Sequence, residues 1–164
     1  MQIPQEHRKF QKPTLLVVSD NMHAKLYKGE ERQLEKIGEV DQDYYPYADA
    51  NRNMRPHTSS NQAQQRADAG QGVNSYTSEK SENIKQSARK HLYKNLNKEL
   101  MHRLQDGEFE QLIITAPEND VKELKSNLHN KLTKRIKVVV PKTLTKMSEM
   151  EIIKHVEEAI FPAE

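Results

Sequence analysis

The sequence predicts an α/β domain: a mixed central sheet of about five strands, with an N-terminal antiparallel meander, a C-terminal β-α-β crossover and three helices. Three observations carry that prediction. Short β-branched apolar runs stand at Thr14 to Val18 (TLLVV) and Ile136 to Val140 (IKVVV), too short for helices and composed for a pleated, buried surface. Apolar residues recur at helical spacing in 84–104, 121–132 and 150–160. Near the C-terminus a strand, a helix and a strand follow within about 30 residues, an order that requires a parallel pair joined by a right-handed crossover.

Each element follows from its residues. After TLLVV, Ser19-Asp20-Asn21 supplies turn chemistry; Ala24, Leu26 and Tyr27 continue as a second strand to Lys28-Gly29-Glu30, and Leu34, Ile37 and Val40 mark a third extended element. Ile84, Ala88, Leu92, Leu96, Leu100 and Leu104 form a four-residue row over 81–106, with Gly107 placed to stop the helix. Phe109 to Ala116 (FEQLIITA) reads as the fourth strand. Pro117 and the acids after it open a helix carrying Val121, Leu124, Leu128 and Leu132. Pro141 stops the fifth strand. Ser148 and Glu151 have capping-box spacing ahead of a last helix with Met150, Ile153, Val156 and Ile160.

At 164 residues, 1–164 reads as a single domain. Its 34% hydrophobic content is low for a globular chain, and the deficit sits in one place: from Asp41 to Asn83 there is no Leu, Ile or Phe. Such a stretch buries too little apolar surface to offset its ordering entropy, so 41–80 reads as a long, polar, mobile loop. No apolar run reaches 18 residues and MQIPQEHRKFQKP lacks a secretory core, so the expectation is a cytoplasmic protein without a membrane partner. The chain has no cysteine, which excludes disulfides and thiolate chemistry. It has no GxGxxG, phosphate loop, HExxH, GxSxG or EF-hand pattern, and its seven histidines are scattered, so no metal and no small-molecule cofactor is expected.

The net charge of +2 is small, but the charges alternate in blocks. Residues 81–104 carry six basic groups against two acidic, and 121–146 carry eight against one. Lys90, Lys94 and Lys98 fall at four-residue intervals and predict a basic ridge; Lys131, Lys134, Arg135 and Lys137 form a second cluster. A solvated charged face and a phosphate-binding surface are equally consistent with this pattern. The second would release counterions on meeting a polyanion. With aromatic residues at 5%, base-stacking recognition is not indicated. Asp20, at the end of the first apolar strand, reads as a turn former rather than a catalytic acid. Ala69-Gly70-Gln71-Gly72 is the glycine-rich point of the polar loop. Gly70 and Gly72 would let the backbone approach a ligand with the Gln71 amide between them, although loop punctuation explains the same residues. No catalytic residue is assigned; Gln71 is the one candidate.

Four stretches, LLVVSDNMHAKLY (15–27), the 81–106 helix, LIITAPENDVKELKSNL (112–128) and VVVPKTLTKMSEMEIIKHV (138–156), resemble the bacterial family described as "protein required for attachment to host cells". That family is similar in fold to the middle domain of archaeal and eukaryotic peptide-chain release factors. Asp20, Ala24 and Thr115-Ala116-Pro117 match the family pattern; its Asp-Leu-Thr stands here as Thr143-Leu144-Thr145. The Gly-Gly-Gln that release factors present to peptidyl-tRNA has its nearest equivalent in Ala69-Gly70-Gln71, with the first glycine replaced. The resemblance implies a domain that sits against ribosomal RNA. The leading expectation is a non-enzymatic RNA- or ribosome-associated protein. The alternatives are a peptidyl-tRNA ester hydrolase using the 69–72 loop and a protein-interaction or host-attachment module.

Overall fold

The computed structural model describes residues 1–43 and 77–162. Three antiparallel strands open the chain: β1 (Phe10–Ser19), β2 (His23–Glu31) and β3 (Gln33–Asp41). The β1–β2 turn is built by Asp20, whose Oδ1 accepts from the backbone N–H groups of Met22 (2.7 Å) and His23 (2.8 Å). This is the turn role expected of an aspartate there. The β2–β3 hairpin closes at Glu31, whose φ of 53° lies in the left-handed region that tight hairpins require. The residues ahead of β1, given no structure by the sequence pattern, add a bridge between Gln2 and Gln33 and bury Ile3.

The remaining elements are α1 (Thr77–Gln105), β4 (Gln111–Thr115), a 3₁₀ turn at Glu118–Asp120, α2 (Val121–Ser126), α3 (Asn130–Thr133), β5 (Ile136–Val140) and α4 (Glu149–Ile160). The sheet order is β3-β2-β1-β4-β5, with β1–β4 and β4–β5 parallel and the other pairs antiparallel. This is the mixed five-stranded α/β architecture expected. β1 lies at the centre, and every residue from Thr14 to Ser19 is buried.

Alternation along β1 splits the core in two. Leu15 and Val17 face Leu92, Tyr93, Leu96 and Leu100 of α1, joined by Leu124, Leu128 and Leu132. Leu16 and Val18 face the opposite layer, made by Ile3, Leu144 and the α4 residues Ile152, Ile153 and Val156. Gly107 ends α1 with φ 73°, its N–H reaching the Leu104 carbonyl at 3.0 Å. The Ser148 hydroxyl accepts from the Glu151 N–H at 3.3 Å and starts α4. The helical pattern over 121–132 is realised in pieces. Asn127 bonds back to the Glu123 carbonyl, the His129 N–H is taken by Asn97 Oδ1 of α1 at 2.7 Å, and His129 Nδ1 caps α3 by accepting from Lys131 N–H. The break keeps Leu124, Leu128 and Leu132 on the core side, so the apolar period runs through it.

Two core positions generate predictions. A Cβ on Gly29 would stand 2.5 Å from the Phe10 ring, which packs over this part of β2. Gly29→Ala is expected to destabilise the fold by about 1–3 kcal/mol through overpacking, read as a lower urea midpoint, and the loss should shrink in a Phe10→Ala background. The Tyr93 hydroxyl is buried without a hydrogen-bond partner among the described residues. Burial first, then the nearby charges of Asp120 and Glu123, push its pKa well above the usual phenol range, while Arg89 acts in the opposite sense. With the folded-state value raised, this tyrosine's contribution is full below about pH 10 and is lost as the pH rises past it, because the unfolded phenol ionises first. Tyr93→Phe should leave stability at pH 7 unchanged or raised by up to about 1 kcal/mol, and should lose less than wild type between about pH 9 and 11, by urea denaturation at each pH.

Candidate functional site: cationic surfaces on two faces

On the α1 face, Lys90, Lys94 and Lys98 are exposed, and none has a carboxylate partner among the described residues. Spaced by four, they form one ridge along the outside of the helix. The ridge continues into a groove of about 410 Å³ where Met101, Leu104 and Gln105 of α1 meet Lys131, Lys134 and Arg135. The hydrogen bond from the His129 N–H to Asn97 Oδ1, beside Lys98, holds α3 against α1 and so brings these two segments to the same side. Of the acids nearby, Glu123 pairs with Arg89 at 3.5 Å and Asp106 lies 3.4 Å from His102. Arg135 also reaches the Glu110 carbonyl at 3.4 Å.

Lys137 does not join them. The β4–β5 pairing steps from Leu112 opposite Ile136 to Ile113 opposite Val138, leaving Lys137 as the extra residue of a bulge. It lines a different cavity, of about 290 Å³, between β5, α4 and the start of β1. There it joins Arg8, Lys9 and Arg32 in the lining, which the charge-block pattern did not single out because acids balance the bases over residues 1–80. The signal that could have found them is the cluster RKF at 8–10 beside the basic hairpin residue Arg32.

At the end of the sheet where β1, β4 and β5 finish, the Asp20 carboxylate is held by its own turn and lies 3.4 Å from His23, and Thr115 Oγ1 is buried without a partner among the described residues. Gly70, Gln71 and Gly72 lie outside the described residues. The segment that holds them departs from β3 beside α1, where the Asn95 side-chain amide donates to the carbonyls of Asp41 and Gln42 at 3.0 and 2.9 Å. Among the described residues no three His, Cys, Asp or Glu side chains are grouped to hold a metal ion, and no helix is long and apolar enough to cross a membrane.

Comparison with known proteins bears on this arrangement. The family model described as "Bacterial archaeo-eukaryotic release factor family 12" matches residues 13–156, from the start of the buried part of β1 to the third turn of α4. No curated protein matches the chain.

Proposed function

We propose, from the premise that the chain belongs to bacterial archaeo-eukaryotic release factor family 12, that it is a translation-related protein that associates with RNA or the ribosome without catalysing a reaction. The family name supports the translation setting. The observation that carries the docking reading is the ridge of Lys90, Lys94 and Lys98 running into the groove lined by Lys131, Lys134 and Arg135. Six cations on one side, with Glu123 held by Arg89, make a surface suited to phosphates. Long, exposed lysines suit a polyanion's backbone and carry no base readout, so the binding is expected to be insensitive to sequence.

The test is a titration of the protein against ribosomes by co-sedimentation and against an RNA fragment by filter binding, at several salt concentrations. Affinity should fall as salt rises, and Lys90/Lys94/Lys98→Glu should weaken it by more than about tenfold and flatten the log–log salt slope by about 0.7–0.9 for each phosphate no longer neutralised. Lys154→Glu, on exposed α4 across the sheet, should change neither. Binding that is absent, indifferent to salt, or equally sensitive to Lys154→Glu would sink the reading.

A further inference from the structure

The cavity that receives Lys137 lies on the α4 side of the sheet, away from the ridge, and its chemistry is different. Arg8, Lys9, Arg32 and Lys137 stand around it. Of these, Arg8, Arg32 and Lys137 have no side-chain carboxylate partner among the described residues; Lys9 pairs with Glu31 at 3.1 Å. Arg32 is fixed in place by donating from Nη1 to the carbonyls of Pro4 (3.0 Å) and His7 (2.9 Å), which spends hydrogen bonds but leaves its charge uncancelled. The acid in the lining, Glu157, is engaged by His7 Nδ1 at 3.3 Å and the Arg8 N–H at 3.1 Å.

The floor is apolar, made by Ile113, Ile153, Val156 and Ile160. Two aromatic rings, Phe10 and Phe161, border it, and the Arg8 guanidinium lies 3.9 Å above the centre of the Phe161 ring. The stacked guanidinium and ring add flat surfaces to a lining whose cations come from three separate parts of the chain. A ligand complementary to both parts has a flat, largely apolar body and an anionic head. At about 290 Å³ the space matches a molecule of roughly one nucleotide, and the cations around it favour an anionic head over an uncharged apolar chain. Guanidinium forks and ammonium groups together favour phosphate.

We infer that this cleft is a binding site for a small phosphorylated ligand with a planar ring, of the free mononucleotide class, independent of the RNA-docking face. The head group sits among Arg8, Arg32 and Lys137, and the ring lies over the Ile113–Ile153 floor beside Phe161.

The experiment is calorimetric or NMR titration of the full chain with AMP, in parallel with inorganic phosphate and hexanoate. AMP should saturate with a Kd between about 10 µM and 1 mM, and inorganic phosphate, lacking the ring, should bind at least about tenfold more weakly. Lys137→Glu is the informative variant, because Lys137 is exposed on a bulge and its loss leaves no buried group behind. It should weaken AMP by about tenfold or more, and Phe161→Ala should weaken AMP while sparing phosphate. The ridge variant Lys90/Lys94/Lys98→Glu should bind AMP like wild type, so failure here and failure of RNA docking are separable. The inference is overturned if AMP does not saturate by about 10 mM, if Lys137→Glu binds AMP unchanged, if phosphate or hexanoate matches AMP, or if the ridge variant loses AMP.

Discussion

Burial of β1 on both of its faces is the constraint from which the rest of the molecule follows. From Thr14 to Ser19 no side chain reaches solvent, and a strand in that position needs a packed layer above it and another below. Each large apolar side chain fully buried there contributes about 1.5–3 kcal/mol, so loss of either layer would expose several such groups at once. α1 with α2 and α3 supplies one layer, and α4 with Ile3 supplies the other. The parallel pairing with β4 then places β5 at the far edge, next to α4. The cationic ridge and the Lys137 cleft consequently back onto opposite sides of one sheet.

The two surfaces differ in how their charges are held, and this decides what each can recognise. The ridge lysines are exposed, unbranched and free of carboxylate partners among the described residues, so they would suit the phosphate chain proposed for them without imposing a geometry on it. In the cleft, the Arg32 guanidinium is tied to two backbone carbonyls and that of Arg8 rests on an aromatic ring. Fixing the groups in advance lowers the ordering cost of binding and favours one compact ligand over an extended polymer. Net charge alone, at +2, separates neither surface from a neutral protein.

Much of the fold is legible because local signals and tertiary burial agree. The β-branched run TLLVV is the central strand, IKVVV coincides with β5, Gly107 ends α1, and Ser148 caps α4 at the spacing read from the sequence. The interruption at 127–129 is hidden for a physical reason. The leucine period survives the break, and the hydrogen bond that makes it, between Asn97 and the His129 N–H, comes from another helix. Lys137 shows the same limit. Proximity to Lys134 and Arg135 groups it with them, whereas a bulge defined by register against β4 turns it to the other cavity. Arg8, Arg32 and Phe161 come from the two ends of the chain and a hairpin, so no window of sequence contains the cleft.

The geometry of α1 also constrains the segment that carries Gly70, Gln71 and Gly72. Its first attachment is the end of β3, where Asn95 bonds to the Asp41 and Gln42 carbonyls midway along the helix. Its second is the start of the same helix at Thr77. At 1.5 Å per residue, Asn95 and Thr77 are about 27 Å apart along the axis, so the two points where the described fold meets the segment are well separated. Lys90 and Lys94 lie on α1 between those points. A polyanion laid along the proposed ridge would pass Lys90 and Lys94 between these points and reach Lys98 and the groove beyond Asn95. Both points of attachment lie on the α1 side of the sheet, the side of the ridge, whereas the Lys137 cleft lies on the α4 side.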